Sequence, residues 1–564
     1  MATVTEKAVL GLRKALLDAA GRAVADGVFS NAALPAFTIE IPADTAHGDY
    51  ATNMAMASAR ALRMAPRKIA QAICDRLDLS ETVFDRWEIA GPGFMNFFLG
   101  DRYYAAVMQE IAQQAEKYGR SDFGGGKRVL VEFVSANPTG PMHMGNARGG
   151  ALGDCLAAVL DAAGFDVERE FYVNDAGNQI EKFGLSLSIR YQQLFLGEEA
   201  VPLPETCYQG GDIIDHAQAY KDEFGDKLMH TDDETRRREL VAYALPKNIA
   251  KMKSDIAKYR IDYDTWFMES TLHESGQVME TVQMLTDKGL TYEKEGAIWY
   301  KSTAFGAEKD DVLVRANGNP TYFAADIAYH RNKFAVRGFD ECIDVWGADH
   351  HGHVARMKGA MNAVGLDGDK LTVVLMQLVN LLKDGKPVKM SKRTGKAIQL
   401  ADLLDEVPVD AARFLFNMRE SNTQMDFDLD LAVKQDNQNP VYYVQYANAR
   451  ICSILRALEK EQIVPRDCTA EELMLLKAPE ERELIRHLAA YPTEIVTSAK
   501  EYDPARITRY VITLANLFHK FYNACRVKGE DESLMQARLQ VCLAVRTVIR
   551  NVLAMFKVSA PDQM

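Results

Sequence analysis

The chain has 564 residues, of which 48% are hydrophobic and 26% are charged, a composition typical of a water-soluble globular protein. Its length is too great for one hydrophobic core and predicts two to four domains. No uninterrupted apolar stretch is long enough to cross a bilayer, so no membrane partner is predicted. The net charge of −13 argues mildly against a nucleic-acid partner, although the 66 Lys and Arg residues can still form one basic face.

The N-terminus and the cysteines bear on the cellular compartment. The first residues lack a basic stretch followed by an apolar one, so no secretory signal is predicted. The eight cysteines are scattered singly, without a C-x-x-C pair, which argues against a zinc site and for a reducing compartment. We therefore predict a cytoplasmic protein.

Residues 1–122 have the pattern of a small α+β domain. Val9, Leu12 and Leu16 lie on one stripe of a predicted helix. Strand patterns follow at residues 37–41, 87–90 and 94–98, the last two separated by a Gly-Pro-Gly turn. A run of three glycines at residues 124–126 predicts a linker to the next domain.

Residues 123–436 predict an α/β domain with a Rossmann-like sheet. A strand at 129–134, a Pro/Gly-rich loop at 137–145, a helix at 147–163 and a strand at 170–173 form half of a nucleotide-binding sheet. Further strands are predicted at 311–315, at 342–346 and between 371 and 382. The polar, helical stretch at about 185–300 is interpreted as an insertion. Residues 437–564 have helical spacing throughout, which predicts an all-α bundle.

The first chemical motif lies in the loop after the first core strand, at residues 138–149, and reads PTGPMHMGNARG. Open α/β sheets bind ligands at this end, and the start of the next helix directs backbone N–H groups and a positive dipole at a phosphate. His143 can donate a hydrogen bond to a phosphoryl oxygen, and Gly145 lets the backbone approach. Taken alone, such a pattern is more often an ordinary turn with a surface histidine.

The second motif, KMSKRTG at residues 389–395, follows a tight Asp-Gly turn. Lys389 and Lys392 stand beside small, flexible residues and can close over a triphosphate, where they would neutralise developing charge. Taken alone, the motif is more often a solvated basic loop. The two motifs together, in this order and each after a strand, indicate nucleotide chemistry.

Both motifs resemble the "HIGH" and "KMSKS" signatures of class I aminoacyl-tRNA synthetases. Further blocks resemble the arginine-specific family: VEFVSANP at 131–138, YVNDAGNQ at 172–179, YFAADI at 322–327, NPVYYVQYA at 439–447 and HGDYATN at 47–53. The resemblance therefore extends over nearly the whole chain.

This resemblance implies an arginyl-tRNA synthetase fold and activity. The expected substrates are L-arginine, ATP with Mg²⁺ and tRNA(Arg), with no tightly bound cofactor, in a monomer. Activation is expected to need bound tRNA, with the helical domain reading the anticodon and the N-terminal domain contacting the tRNA body. The catalytic residues carried over by the resemblance are His143, Gly145, Asn146, Lys389, Met390, Ser391 and Lys392.

Carboxylates are the candidates for binding the guanidinium of arginine, which has five donors and no acceptor. Glu132 lies within an apolar strand, where an unpaired charge is costly, so it needs either a cationic ligand or an internal ion pair, and both alternatives stay open. Asp326 could simply cap a helix, but the resemblance assigns Asp326 and Tyr322 to arginine binding. It also assigns Asn137, although Asn-Pro is a common turn dipeptide.

Asp349 and His350 belong to a histidine-rich segment, residues 349–353, after the strand at 342–346. Three nearby histidines suggest a metal, but their spacing cannot easily direct all of them at one ion, and we predict no metal site. The resemblance instead assigns residues 347–350 to the floor of the adenylate site.

Two rivals remain. A class I synthetase for glutamate, cysteine or lysine is disfavoured by the acidic candidates and by the lack of a Cys/His zinc set. A non-catalytic tRNA-binding relative is supported only by Asn146, which replaces the second histidine of the signature. The remaining departure, Arg393 in place of the last Ser, adds positive charge.

Asn146 yields a first prediction. An asparagine amide can donate a hydrogen bond but cannot carry charge, so we expect modest rather than lost activity. The Asn146→His variant should raise the rate of adenylate formation by less than about tenfold, because one hydrogen bond is already supplied. The measurement is the single-turnover rate of adenylate formation in both proteins. A much larger gain would mean that Asn146 is a real handicap.

Overall fold

The computed structural model of the protein describes residues 2–388, 398–529 and 531–564. The N-terminal domain contains α1 Val4–Ala25, β1 Ile39–Glu40, β2 Tyr50–Thr52, α2 Met54–Leu62, α3 Pro66–Cys74, β3 Phe84–Ala90, β4 Phe94–Leu99 and α4 Asp101–Gln114. Its strands form one antiparallel sheet in the order β1-β2-β4-β3. The predicted α+β character of this domain is confirmed.

Helix α1 begins where the sequence supplies a cap. The Glu6 backbone N–H donates to Thr3 Oγ1 at 3.1 Å, and the Thr3 N–H donates to Glu6 Oε2 at 2.8 Å, so each residue satisfies the other's free amide. Leu12 and Leu16 are fully buried one turn apart. The predicted stripe is therefore the face that packs into the domain core.

The middle domain begins with β5 Arg128–Glu132, α5 Gly145–Ala162, β6 Asp166–Val173, α6 Asn178–Leu196, α7 Gly211–Phe224, α8 Asp233–Lys258 and β7 Thr265–Met268. It continues with α9 Ser270–Glu274, α10 Gln277–Asp287, β8 Thr291–Lys294, β9 Ala297–Tyr300, β10 Asp311–Val314, α11 Tyr322–Arg331, β11 Glu341–Gly347, α12 His351–Val364 and β12 Leu371–Met376. The last elements are β13 Val379–Lys383, β14 Lys386–Val388, α13 Leu400–Glu406, α14 Val409–Phe416, β15 Met425–Asp428 and α15 Leu429–Val433.

Five of these strands form a parallel sheet in the order β12-β11-β5-β6-β7. From β5 the chain moves outward to β6 and β7, and later returns to β11 on the other side of β5. The carboxyl ends of β5 and β11 therefore border the topological switch point, which is where open α/β sheets bind ligands. The predicted Rossmann-like α/β class is confirmed.

Alternate residues of β5 pack on opposite faces of the sheet. Val129 and Val131 belong to the core that includes α5, whereas Leu130 belongs to the core that includes α11 and α12. Because both faces are covered, every residue of this strand except the first is buried. The near-continuous apolar pattern of the strand follows from this double coverage.

Two expectations for the middle domain are corrected. Strand β7 lies inside the stretch at about 185–300 that was interpreted as an insertion, yet it pairs in parallel with β6, so the insertion ends before Thr265. Four residues are too few to show a strand pattern within a helical region. The predicted strand at 311–315 is present as β10, but it pairs with β9 in a separate antiparallel sheet, β10-β9-β8, instead of joining the core.

The C-terminal domain contains α16 Pro440–Glu459, α17 Ala470–Leu473, α18 Pro479–Glu501, α19 Ala505–Ala524 and α20 Glu532–Met555. The predicted all-α bundle is confirmed. The domain boundaries predicted near residues 122 and 436 fall in the connections between α4 and β5 and between α15 and α16. Among the described residues, no helix is both long and apolar enough to span a bilayer.

A buried arginine joins three parts of the chain. The Arg413 side chain, fully buried in α14, donates to the backbone oxygens of Phe556 at 2.6 Å and Tyr259 at 3.0 Å. It also forms an ion pair with Asp154 of α5 at 2.5 Å. The end of the helical bundle and the helix after the first motif therefore share one hydrogen-bonding centre, which we call the Arg413 hub.

The hub yields a stability prediction. Asp154→Asn removes the counter-charge of a buried guanidinium, so we expect a loss of about 3 kcal/mol in the free energy of unfolding. The loss will be smaller if the asparagine oxygen keeps a hydrogen bond to the guanidinium. The matched control is Asp161→Asn on the same helix, where the partly exposed pair with Arg120 should contribute less than about 1 kcal/mol. Urea denaturation measures both. Equal losses would contradict the role of the hub.

Candidate active site

The signature histidine is exposed and its protonation pattern is set by the loop. The Gly145 backbone N–H donates to His143 Nδ1 at 3.1 Å, so Nδ1 carries no proton in this contact. In the neutral ring the proton is then on Nε2, which is free to donate to an incoming oxygen. The local turn thus presents a hydrogen-bond donor at the carboxyl edge of the sheet.

Helix α5 begins at Gly145, two residues after this histidine. The Asn146 backbone N–H bonds back to the His143 oxygen at 2.9 Å and closes the first turn. The Asn146 side chain is half-buried. Because the helix start faces the switch point, its free amides and dipole favour an anion there.

The segment that follows the second motif, from Ile398 onward, lies beside the first motif. Residues 389–397, including Lys389, Met390, Ser391 and Lys392, lie outside the described residues. Their C-terminal flank pairs with the histidine loop: Met144 N–H donates to the Ile398 oxygen and Leu400 N–H donates to the Met142 oxygen, each at 2.9 Å. The chain after the lysine motif is therefore anchored on both sides of His143.

The backbone that leaves β5 is strained. Val134 and Ser135 have φ values of +71° and +42°, in the left-handed region that β-branched residues avoid. Ser135 is held there by its hydroxyl, which donates to Glu132 Oε1 at 2.8 Å and accepts from the Tyr172 N–H at 3.2 Å. Such strain is typical of functional loops. Asn137, two residues further on, is exposed.

A polar cavity of about 210 Å³ lies beside the carboxyl end of β7. Tyr322 and Glu269 line it, and the Asp326 carboxylate is close enough to Glu269 to raise the pKa of that residue. Glu269 is almost fully buried, and burial is the largest cause of its raised pKa, although hydrogen bonds from Tyr172 and His273 oppose the shift. Arg315 and His273 also line the cavity, so its charge is mixed, and Glu269, with Asp326 near it, forms the acidic side that suits a cationic group.

Asp326 is oriented by a histidine that the sequence had suggested as a metal candidate. Arg356 donates to His353 Nδ1 at 2.7 and 3.1 Å, so the ring proton is on Nε2. That nitrogen donates to Asp326 Oδ2 at 2.9 Å. The chain of contacts fixes one carboxylate oxygen and leaves the other available.

Glu132 is part of an internal ion pair. Its Oε2 lies 2.6 Å from Lys333 Nζ, and Lys333 also binds Asp344 Oδ1 at 2.9 Å. Tyr329 hydroxyl lies within hydrogen-bonding distance of Glu132, at 3.0 Å, and of Glu170, at 2.6 Å. Of the two alternatives left open for Glu132, the contacts support the internal pair.

Asp349 and His350 lie just beyond β11, at the switch point. Both are exposed, and their side chains approach each other at 3.5 Å. A Cβ at Gly347 would displace only the exposed Asp349 carboxylate, so the turn does not depend on glycine. Within the described ranges, no group of three or more His, Cys, Asp or Glu side chains is arranged to hold a metal ion.

The helical domain has a larger cavity of about 740 Å³ between α16 and the end of α19. Tyr446, Arg450 and Tyr522 line it, and the Arg450 guanidinium lies 4.5 Å from the centre of the Tyr522 ring. An aromatic ring with an arginine above it is a surface on which a base can stack. This surface lies in a different domain from α11.

Two residues of the site were missed in the sequence. Glu269 follows directly after a short apolar strand, a position typical of ligand-binding side chains, but β7 itself was hidden within the helical stretch. His353 was considered only as a metal ligand. A pairing between residues 27 positions apart, as between His353 and Asp326, leaves no local pattern.

Three family models match the chain in succession. Residues 11–99 match the arginyl tRNA synthetase N terminal domain, residues 107–448 the catalytic domain of class I (R) tRNA synthetases, and residues 444–564 the DALR anticodon binding domain. The catalytic match alone covers more than half of the chain.

The chain belongs to the arginyl-tRNA synthetase family. An arginine–tRNA ligase of Acetivibrio thermocellus is 57% identical over 95% of this chain and 96% of its own length. One of Caldanaerobacter subterraneus is 55% identical over the full length of both. The family predicted from the motifs is confirmed.

Solved structures of the arginyl-tRNA synthetase family have the same architecture. One described as a putative arginyl-tRNA synthetase from Campylobacter jejuni has a TM-score of 0.73 and 32% identity, covering 83% of this chain and 100% of that one. The arginyl-tRNA synthetase of Thermus thermophilus has a TM-score of 0.73 over 99% of this chain and 100% of its own; its 21% identity bears on the fold alone.

The raised pKa of Glu269 yields a pH prediction. A carboxyl whose pKa lies above the ordinary 4.5 loses its charge at a higher pH, so affinity for a guanidinium ligand should fall as the pH is lowered towards that pKa. Between pH 8 and pH 5 we expect about a tenfold loss, the size of one charge-assisted hydrogen bond. Calorimetry with L-arginine and tRNA measures it. A pH-independent affinity in this range would contradict the role of Glu269.

Proposed function

We propose that the protein is an arginine–tRNA ligase, which activates L-arginine with ATP and transfers it to the terminal adenosine of tRNA(Arg). The observation that carries the proposal is the cavity lined by Glu269 and Tyr322, with the Asp326 carboxylate near Glu269, in a chain of this family that also has a helix start suited to phosphate. We further propose a cytoplasmic monomer.

The guanidinium of arginine binds between Glu269 and Asp326, with the Tyr322 ring against it. A planar fork with five donors matches two carboxylates better than the point charge of lysine does, and an anionic side chain would be repelled. Asn137 contacts the amino-acid backbone of the substrate. Glu132 contributes indirectly, through Ser135 and Lys333, because its charge is already neutralised by the buried Lys333 ammonium.

ATP binds at the switch point, with its phosphates against the start of α5 and the adenosine near residues 347–350. His143 Nε2 and the first amides of α5 donate to phosphoryl oxygens. Mg²⁺ enters as part of the ATP substrate, since it prefers phosphate oxygens and water to a protein cage. Asp349 and His350 are proposed to border the adenylate.

In the first step, a carboxylate oxygen of arginine attacks the α-phosphorus of ATP. The bond from that phosphorus to the bridging oxygen of the β-phosphate breaks, and pyrophosphate leaves. Lys389, Ser391 and Lys392, with Met390 in the same motif, stabilise the added negative charge on the phosphates. Their anchored C-terminal flank beside His143 supports this role.

In the second step, the 2′-hydroxyl of the terminal adenosine attacks the activated carbonyl of arginine, and AMP leaves with the electron pair of the broken acyl–phosphate bond. The helical domain binds the anticodon end of the tRNA, and the N-terminal domain contacts its body. Tyr446, Arg450 and Tyr522 provide the stacking surface in the helical domain.

The deciding experiment is ATP–pyrophosphate exchange with several amino acids, with and without tRNA. We expect exchange only with arginine and only when tRNA is present. Exchange driven by glutamate, cysteine or lysine would identify a different synthetase specificity. A protein that binds tRNA but gives no exchange with any amino acid would be a tRNA-binding relative without activity.

Glu269→Gln tests the cationic pocket directly. The isosteric change removes the negative charge, so the KM for arginine should rise about 100-fold while the KM for ATP stays within about twofold. The matched control is Glu181→Gln, which changes an exposed carboxylate lining the same cavity and should alter the arginine KM less than about threefold. Equal effects of the two changes on the arginine KM would mean that Glu269 does not bind arginine.

A further inference from the structure

A row of charges is buried beneath the proposed arginine pocket. Asp344, Glu132 and Glu170 are direct register partners on the adjacent strands β11, β5 and β6, so three carboxylates stand side by side. All three are buried. Like charges at this spacing are strongly unfavourable unless cations are placed among them.

The cations come from the π-helical turn Asn332–Val336, which continues helix α11, and from Arg337, which follows this turn. Lys333 bridges Glu132 and Asp344, and Arg337 binds Glu170 Oε2 at 2.5 Å. Lys333 is completely buried, and although burial opposes its charge, the surrounding carboxylates raise its pKa above the ordinary value. Arg337 also pairs with Glu168, so these two cations face four carboxylates; burial raises the pKa of Glu170, but Asp344, at the other end of the row, keeps its negative charge.

His330 is the group placed to balance it. The residue is 1% exposed and its ring lies between two oxygens. Nδ1 is 2.9 Å from the backbone oxygen of Asp326, and Nε2 is 3.1 Å from Asp344 Oδ2. A carbonyl oxygen can only accept a hydrogen bond, so Nδ1 must carry a proton.

Nε2, the second ring nitrogen of His330, must also carry a proton. Burial alone would raise the pKa of Asp344, but the charge of Lys333 and the contact with His330 outweigh it and lower that pKa below the ordinary value. An ionised carboxylate only accepts, so Nε2 of His330 must carry a proton as well. A ring with protons on both nitrogens is an imidazolium.

The groups around His330 agree with this charge. Asp344 faces it from β11, Lys333 from the π-helical turn and Asp326 from its own helix, while Glu132 and Glu170 lie one contact further on β5 and β6. Burial lowers the pKa of His330 and Lys333 opposes its charge, yet the hydrogen bond to Asp344 prevails, so that this pKa lies above the ordinary value.

We propose that His330 is a positioning residue, held as an imidazolium, that fixes helix α11 to β11 and thereby places Asp326 and Tyr322 in the pocket. The role in substrate binding rests on the proposed function. The Asp326 backbone is held by His330 and its carboxylate by His353, so two histidines on different elements together set the position of one ligand-binding residue.

The charge state is tested by NMR of the full chain labelled with ¹⁵N in its histidine rings, at pH 8. Ordinary histidines, with a pKa of about 6.5, are neutral at that pH. We expect one ring to keep the closely spaced nitrogen signals of an imidazolium. His487 is the internal reference: burial lowers its pKa, and its Nε2 has one acceptor, the Tyr510 oxygen at 3.0 Å. Absence of any imidazolium signal in the wild-type spectrum overturns the proposal without need of a variant.

The positioning role is tested by kinetics. His330→Gln can reach only one of the two acceptors, so the arginine KM should rise about tenfold while the ATP KM changes less than about twofold, and the imidazolium signal should vanish. His487→Gln, the matched control in the helical domain, should leave both constants unchanged. A folded His330→Gln protein with an unchanged arginine KM overturns the role.

Failure of this proposal is distinguishable from failure of the proposed function. The spectrum requires no activity, so a wild-type protein that does not charge tRNA with arginine would refute the proposed function and still show whether His330 is charged. If His330→Gln does not fold, Asp326→Asn supplies the kinetic comparison, since it should raise the arginine KM while the imidazolium signal remains.

Discussion

The ammonium of Lys333 is the interaction on which the centre of the molecule depends. It joins Glu132 of β5 to Asp344 of β11, the two strands whose carboxyl ends border the switch point. Without that cation, neighbouring carboxylates in one register row would separate the strands or take up protons. The strand pair that holds the nucleotide loop and the helix that holds Asp326 are therefore positioned by the same buried charge.

The proposed site must bind an anion, the phosphates of ATP, and a cation, the guanidinium of arginine. We propose that the phosphate end uses the backbone amides at the start of α5 and that the amino-acid end uses the carboxylates of Glu269 and Asp326. Glu269 is almost fully buried, so water screens its charge little, which strengthens its attraction for a guanidinium, and the same burial raises its pKa. The net charge of −13 is thus no obstacle to the chemistry, because the local fields, not the total, act on each substrate.

Sequence patterns within single segments predicted much of the secondary structure. The helix of α5, the strands beside the motifs, the N-terminal sheet and the helical domain all follow from local periodicity and turn residues. The contacts that define the site do not, because they join distant positions: Lys333 and Glu132 are 201 residues apart, and Tyr329 and Glu170 are 159 apart. Strand β7 was missed because four residues within a helical stretch carry too little signal, and Glu269 was missed with it.

The Arg413 hub joins the catalytic region to the helical domain, so the chain cannot be cut between them without loss of buried contacts. Sequence and family models separate a catalytic region from a helical one, yet the guanidinium in α14 takes a hydrogen-bond acceptor from Phe556, at the end of the last helix, and a counter-ion from α5. A fragment that stopped at residue 436 would bury an arginine with one acceptor missing and expose the apolar face of α14 to water. The middle and helical domains are therefore joined by one buried hydrogen-bonding centre, and exchange of the helical domain between relatives would require the residues of the hub to match.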